Sequence, residues 1–305
     1  MKKTKIYNVL HSFCVGRVLI FSFIFIIIFL NSIFAAKLFI VVVNTDLQPY
    51  IQTSLDQYKK DLEYEGYTVE IKSWVLAGST AAQLRDYFKS RQGDGLVGAI
   101  LVGDLPYINY TGGYGGETGA CDYYYMCLNG NFTDTDANGY FDAIAGDTTP
   151  QIYVGRIKAS NVTQWNNFED DLINNYFRKI HDYRKGTLKF NERLYESHNS
   201  FSDSLQGGQY GYNDFLYEEQ INKAKLISKI NESWEYFYIM AHGTVTSFGI
   251  YDGFSSSDII NLSPDNRGFN WQYSCDTGNW NLTKSIIACW ALAPQGVLNA
   301  ISYTR

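Results

Sequence analysis

"LFIVVVN" (Leu38–Asn44) holds six apolar residues in a row and no charge. A strand with one wet face would alternate, and a buried helix would need about ten residues or more. The run therefore predicts a strand covered on both faces. Downstream, Ile51, Leu55, Tyr58 and Leu62 recur at steps of four, three and four, the spacing of an amphipathic helix. "YTVEIKSW" (Tyr67–Trp74) alternates as a strand does, and "TAAQLRDYFKSRQ" (Thr80–Gln92) reads as a short helix capped by Thr80 or Ser79. "GAILVGDLPY" (Gly98–Tyr107) is a second buried strand, stopped by a turn at Asp104. Strand, helix, strand, helix, strand predicts an α/β fold: a mostly parallel sheet flanked by helices on both faces.

The pattern continues after a polar, Gly- and Tyr-rich segment at 109–149. "QIYVGR" (Gln151–Arg156) resumes the strands. Residues 161–183 form a long helix pattern with Trp165, Phe168, Leu172 and Tyr176 along one side. "LKFNERLYES" (Leu188–Ser197) reads as a strand and Tyr212–Asn231 as a helix. Two strands ending near residues 242 and 275, a helix over Ser285–Leu292 and "GVLNAISYTR" complete the chain. There is no internal repeat. Residues 37–305 are expected to form one α/β domain, with subdomains at about 37–185 and 186–305.

The first 36 residues have a different character. Lys2, Lys3, Lys5 and Arg17 precede or flank an apolar run, Val18–Leu30, broken only by Ser22, and small residues follow at Ala35 and Ala36. That run is short for a membrane span and suits a secretory leader, so residues 1–36 are expected to be a signal peptide. The mature chain would be secreted or lie at the cell surface, with no stable membrane association. Without these residues 21 basic groups face 31 acidic ones, a net charge of −10. Such a balance excludes nucleic acid as a partner, since phosphate binding needs a basic face. It is compatible with Ca²⁺ or cationic peptides. Cys14 falls in the leader, and Cys121, Cys127, Cys275 and Cys289 are too few for a disulfide scaffold. Cys121 and Cys127 are close enough in sequence to pair outside the cell.

Functional residues of open parallel sheets gather at the carboxyl ends of strands. Asp104, His242 and Cys275 all fall at such ends. "EYFYIMAHG" (Glu235–Gly243) closes an aromatic strand on histidine and glycine, and "GFNWQYSC" (Gly268–Cys275) closes the next one on cysteine. A thiolate attacks a carbonyl carbon, and a neighbouring imidazole can generate it and later protonate the leaving amine. The oxyanion formed needs backbone N–H donors. Gly243, which brings no Cβ into the way, and Cys275 itself are the candidate donors. No G-x-S-x-G elbow is present for a serine hydrolase.

These residues carry a resemblance. "MAHG", and "YSC" 33 positions later, resemble the catalytic blocks of the gingipain family of cysteine peptidases, which share the caspase-like fold. "AILVGDLPY", "DYYYMCLNGNFTDTDANGYFD", "IYVGRIKASN" and "WALAPQGVLNAISYTR" resemble further blocks of that family, in the same order. The likeness covers roughly residues 38–305. It implies a secreted cysteine endopeptidase acting on protein or peptide substrates through a thioester, with His242 as base and Cys275 as nucleophile. Where the family often has an acid that orients the histidine, this chain has Gln151, which can accept a hydrogen bond but adds no charge. Family domains continue past the point matched by Arg305, so the resemblance implies a domain incomplete at its C-terminus. These two departures leave open a second reading, a weakly active or inactive calcium-stabilised extracellular binding module of the same fold.

"DTDANGYFD" sets Asp134, Asp136, Asn138 and Asp142 around Gly139. Oxygen ligands at alternate positions with a glycine at the sharp turn suit structural Ca²⁺, the carbonyl of Tyr140 supplying a fifth ligand. Position 145, where an EF-hand carries its bidentate glutamate, is alanine. Four other features carry structural expectations only. Asp122 is read as a structural hydrogen-bonding group, Cys289 as core, and His181 and His198 as solvated surface. Asn109, Asn131, Asn161, Asn231, Asn261 and Asn281 stand in N-x-S/T contexts.

Overall fold

The computed structural model describes residues 37–112, 116–162, 168–199, 214–232, 234–259, 262, 267–294 and 296–302. The expected leader, Trp165 and Asn261 lie outside them. Residues 38–305 form one compact unit. No helix among the described residues is long and apolar enough to cross a membrane.

The first half is built on β1 (Lys37–Asn44), β2 (Tyr67–Trp74), β3 (Leu96–Val102) and β8 (Tyr153–Ile157), in the order β2-β1-β3-β8. Strands β1, β3 and β8 run parallel. The apolar run of β1 is explained by its two faces. Val41 and Val43 enter one core cluster, and Leu38, Ile40 and Val42 enter a second on the opposite side. Helix α1 (Gln48–Tyr64) buries Ile51, Leu55, Tyr58 and Leu62 against the first cluster. Helix α2 (Ala81–Arg91) closes the other face with Leu84 and Phe88. Thr80 is its cap: the hydroxyl accepts from the Gln83 N–H while the Gln83 side chain returns to the Thr80 N–H, a reciprocal capping box.

Between β3 and β8 the polar segment folds as two hairpins around a short helix. These are β4 (Ile108–Thr111) with β5 (Thr118–Cys121), α3 (Tyr123–Met126), and β6 (Gly130–Thr133) with β7 (Ala143–Gly146). They are tied to α2 by Arg85, a buried guanidinium that donates to the carbonyls of Cys127 and Gly130 at 2.6 and 2.7 Å. Cys121 and Cys127 do not pair; both are free thiols. Asp122 does hold a structural position, in an ion pair with Arg156 at 2.8 Å.

Helix α4 (Glu169–Arg184) leads to a second sheet, in the order β10-β9-β11-β15-β16. Its strands are β9 (Arg193–His198), β10 (Asp214–Glu219), β11 (Trp234–Met240), β15 (Arg267–Tyr273) and β16 (Asn299–Ser302), all parallel. The helix expected over 212–231 is two elements. Asp214–Glu219 pairs residue by residue with β9, and only Lys223–Ile230 (α5), capped by Asn222, is helical. A free sheet edge overrode the helix preference of Leu and Glu there. Two other readings need correction. His198 lies buried in β9 with its Nε2 2.6 Å from Glu196 Oε1, and His181 is half-buried with its Nδ1 2.9 Å from Asp61.

One apolar cluster runs through both halves, from Val41 and Ile157 to Phe237 and Trp290. Helix α6 (Ile286–Leu292) packs into it and carries the fully buried Cys289. The carboxyl end of α6 is held by Lys179 of α4, which is 2% exposed. Its ammonium donates to the carbonyls of Ala291 at 3.0 Å, Ala293 at 3.1 Å and Val297 at 3.4 Å. The Ala293 carbonyl also accepts from the Gly296 N–H at 2.8 Å, and the ammonium adds a charged donor to acceptors at a buried helix end. Lys179→Met is expected to lower unfolding free energy by about 3 kcal/mol in urea titration. Lys60→Met, at an exposed position of α1, should stay within about 0.5 kcal/mol.

Candidate active site

The two strands of interest sit side by side. Parallel pairing runs from Trp234↔Arg267 to Met240↔Tyr273, and the Ala241 N–H still donates to the Tyr273 carbonyl at 3.2 Å. Tyr238 and Trp271 brace the strands with rings edge to face at 5.6 Å. Two residues beyond the last pair come His242 on one strand and Cys275 on the other, both exposed. Equal register thus sets both residues two steps past the ladder at the carboxyl edge. The place has a topological cause: the chain moves from β9 outward to β10 and then returns to the other side of β9 for β11. Such reversals open the crevice where ligands of parallel sheets bind.

Past His242 the chain turns away in a small meander of β12 (Gly243–Thr244), β13 (Ser247–Phe248) and β14 (Phe254–Ser255). Phe248, Phe254 and Trp290 of α6 stack at 6.0 and 5.7 Å, each pair within 17° of parallel. This stack fixes the meander to the core. The Gly249 N–H donates to the His242 carbonyl at 2.6 Å. Antiparallel pairs alternate between bonded and non-bonded, so the Gly243 amide, in the next pair, faces out of the hairpin.

Past Cys275 the chain makes a tight turn. The Thr277 N–H donates to the Cys275 carbonyl at 2.7 Å, and the Thr277 hydroxyl donates to the Ser274 carbonyl at 3.0 Å. Asp276 sits at φ 57°, a left-handed conformation uncommon outside glycine and tolerated best by Asn and Asp. The turn lies directly against Gly243. A Cβ added at Gly243 would fall 2.1 Å from Ser274 Oγ, 2.7 Å from Thr277 Cγ2 and 2.8 Å from the Cys275 carbonyl oxygen. Sequence reasoning gave this glycine the task of leaving room for a substrate. The structure adds a stricter one, leaving room for the neighbouring turn.

Farther along, Trp280 receives the Arg156 guanidinium over its ring at 4.3 Å, and Tyr107 meets it edge-on at 5.1 Å. Arg156 is itself held by both oxygens of Asp122 at 2.8 Å. Asn161 donates to the carbonyls of Trp280 and Leu282 at 2.8 and 2.6 Å. Its side-chain amide is therefore engaged in the fold, unlike that of a sugar acceptor. None of Ser274, Thr277, Trp280 or Arg156 carried a signal in spacing alone.

Gln151 does not orient His242. Its side chain accepts from the Asn129 N–H at 3.0 Å and donates to Asp147 at 3.0 Å and to the Thr149 carbonyl. It precedes β8, at the amino end of that strand, whereas His242 follows the carboxyl end of β11.

In the acidic loop between β6 and β7 three carboxylates come together. One carboxylate oxygen from each of Asp134, Asp136 and Asp142 lies within 4.8 Å of the others. Asp134 accepts from the N–H groups of Asn138 and Gly139, at 3.2 and 2.8 Å, and Asn138 Oδ1 accepts from the Tyr140 N–H at 2.9 Å. Hydrogen bonds from Thr135 hold the Asp142 carboxyl below the usual range. Hard oxygen donors at this spacing fit Ca²⁺.

The model of peptidase family C25 matches residues 34–305. No curated protein matches the chain. Among solved structures, the chain is similar to one described as "Structure of Protease", at a TM-score of 0.65 and 16% identity, covering 87% of this chain and 59% of that one. It is also similar to a chain of the complex of Porphyromonas gingivalis RgpB pro- and mature domains, at a TM-score of 0.63 and 16% identity, covering 87% and 63%. The chain thus spans about 60% of the length of these structures, and at this identity the likeness establishes the fold.

Gly243→Ala is expected to cost about 2 kcal/mol in thermal or urea unfolding, because a backbone oxygen is among the clashing atoms. Gly93→Ala, which meets open space, should change stability by less than about 0.5 kcal/mol.

Proposed function

Because the chain belongs to peptidase family C25, we propose that it is a secreted cysteine endopeptidase in which Cys275 is the nucleophile and His242 the base. The observation that supports this reading is the shared register of β11 and β15, whose last pair, Met240↔Tyr273, lies two residues before each of them. His242 accepts the thiol proton, and the Cys275 sulfur adds to the carbonyl carbon of the scissile peptide bond. Negative charge collects on the carbonyl oxygen, where the N–H groups of Gly243 and Cys275 would donate. The C–N bond then breaks as the imidazolium returns its proton to the leaving amine, leaving a thioester. Water, deprotonated by His242, attacks the thioester, releases the acid and restores the thiol. The apolar run at Val18–Leu30 supports export of the chain.

Calcium belongs to the same proposal as a structural ion. Asp134, Asp136, Asn138 and Asp142, with the Tyr140 carbonyl, would hold it and pin the β6–β7 hairpin. The ion takes no part in the chemistry.

Iodoacetamide at neutral pH is expected to alkylate Cys275 well before Cys289, which is fully buried. His242→Ala should slow labelling of Cys275 roughly tenfold, since a lone thiol is only a few per cent thiolate there. It should also reduce turnover of a mixed peptide library by 10² or more, on the order expected for a lost general base. Labelling of Cys275 that is slow and unaffected by His242→Ala would overturn the dyad. An intact labelling difference with no turnover of any peptide would favour the binding-module reading.

Addition of Ca²⁺ should raise the melting temperature, and chelation should reverse the rise. Asp134→Asn combined with Asp136→Asn should abolish the response. A melting temperature independent of Ca²⁺ in the unaltered chain would leave the loop as a plain turn.

A further inference from the structure

Strand β8 ends the order β2-β1-β3-β8, and among the described residues nothing pairs with its outer edge. The Gly103 N–H donates to the Ile157 carbonyl at 2.8 Å, so Tyr153, Gly155 and Ile157 turn their backbone groups toward β3. Val154 and Arg156 therefore turn theirs to the open edge. A cleft of about 480 Å³ runs along that edge. Its far bank is Leu298 and Asn299, where β16, the end strand of the second sheet, begins. Tyr176 and Ile180 of α4 line it from the helix layer.

Gly155 lies in the middle of this edge strand, and the fold gives no reason for a glycine there. Its φ is not positive. Among the described residues, a Cβ built on it meets only Ile100 Cγ1, at 4.0 Å, which is ordinary contact. Gly98 on β3 is different: a Cβ there would come 3.0 Å from the Phe39 ring. A glycine inside a strand weakens it and often marks the close approach of a ligand or another backbone. Val41, Ile100 and Gly155 form one row across β1, β3 and β8, on the face that α1 covers. The row lacks a side chain at its open end, where the neighbouring Tyr153 is 79% exposed.

Two different needs thus lie side by side: partners for the backbone groups of Val154 and Arg156, and a side chain over Gly155 between them. One extended chain meets both. Laid about 4.8 Å from β8, it would pair with the outward N–H and C=O groups, and its residue opposite Gly155 would place a side chain over the glycine. An aromatic ring suits that place, because it covers the bare backbone of a glycine across a strand pair. Tyr153 and Tyr176 offer it further ring contact from the same cleft. Charge along the cleft is balanced: Arg184 Nε donates to Glu65 at 2.6 Å, and Arg156 is paired with Asp122. The incoming segment therefore needs no charge. We propose that the open edge of β8 is a docking site for an extended, uncharged peptide segment that sets one aromatic residue, Phe, Tyr or Trp, opposite Gly155. The site takes no part in the His242–Cys275 chemistry and does not depend on the peptidase reading.

Isothermal titration calorimetry tests the proposal on the full chain carrying Cys275→Ala, so that no probe is consumed. The probe is acetyl-Ser-Thr-Phe-Thr-Ser-amide, which should bind saturably at one site. The same peptide with Ala in place of Phe should bind about tenfold more weakly. A form N-methylated at Phe and at both its neighbours keeps the ring but cannot donate to the edge, and it should also bind about tenfold more weakly. Gly155→Val fills the space over the glycine and should weaken the Phe peptide about tenfold, and Gly155→Ala about threefold. Neither substitution adds a clash, so both variants should melt no lower than the parent. The alanine variant, which adds a single methyl group, decides alone if the valine variant melts early. With Cys275 retained, its labelling should be the same in both variants as in the parent, so failure of this site is distinct from failure of the dyad. Absence of saturable binding, equal affinity of the Ala or N-methylated peptide, or full affinity in the Gly155 variants would each overturn the site. Concentration-dependent dimerisation in sedimentation that Gly155→Val removes would assign the edge to a second copy of the chain and overturn it equally.

Discussion

The absent side chain of Gly243 sets the geometry of the rim. His242 and Cys275 lie 33 residues apart, and parallel pairing alone would bring their strands no closer than the usual sheet spacing of about 4.8 Å. Beyond the last ladder pair nothing in sheet geometry obliges the two chains to stay together. They do so because the turn after Cys275 folds back against the residue after His242, at a distance that excludes a Cβ. The meander after β11 and the turn after β15 then act as a single body. That body is held from below by the Phe248–Phe254–Trp290 stack and from the side by the Ile286 N–H, which donates to the Val245 carbonyl at 2.8 Å.

The first half of the molecule reaches the same place through its loops. Arg156 leaves β8, is oriented by both oxygens of Asp122, and lays its guanidinium on Trp280. A planar cation held by a bidentate carboxylate has little freedom left, so the indole meets a fixed surface. Asn161, a few residues later, holds the backbone on either side of Asn281. The Lys284 N–H donates back to the Asn161 carbonyl at 3.0 Å. These contacts join segments far apart in sequence, and the Arg156 side chain is buried. They set the position of the segment after Cys275, while most of the global stability comes from the shared core.

How much of this was legible depends on whether the cause is local. The strand at Leu38–Asn44, the helix with Ile51, Leu55, Tyr58 and Leu62, and the cap at Thr80 follow from periodicity and backbone chemistry, and they stand as read. The strand at Asp214–Glu219 was not legible, because its sequence suits a helix and only the open edge of β9 makes it a strand. His198 was misjudged for a similar reason. Its chain neighbours look like a strand ending in solvent, yet Glu196, two residues back and on the same face, meets it within the fold. Gln151 was placed by analogy of position, and a local network with Asn129, Asp147 and Thr149 claimed it instead. The positions of His242 and Cys275 at strand ends were readable from the abrupt stop of two aromatic runs. The collar of Ser274, Thr277 and Trp280 was not, since its members matter through contacts that only the folded chain creates.

The four cysteines among the described residues show why position along a strand, rather than residue type, decides chemistry. Cys289 faces the core from α6 and Cys127 is buried under the hairpins, so their thiols are shielded from any substrate. Burial also raises the Cys121 thiol above its usual pKa, which keeps it neutral and unreactive. Cys275 is the one exposed cysteine among the described residues. Its exposure follows from the end of the β11–β15 ladder at Tyr273 and from the left-handed Asp276, which turns the chain away before another strand or helix can cover the sulfur. A backbone in that region costs of order 1 kcal/mol and persists only where surrounding contacts fix it. Here the hydrogen bonds of Thr277 and the close seat on Gly243 supply those contacts, so the feature that exposes the thiol is the same one that draws it to the histidine strand.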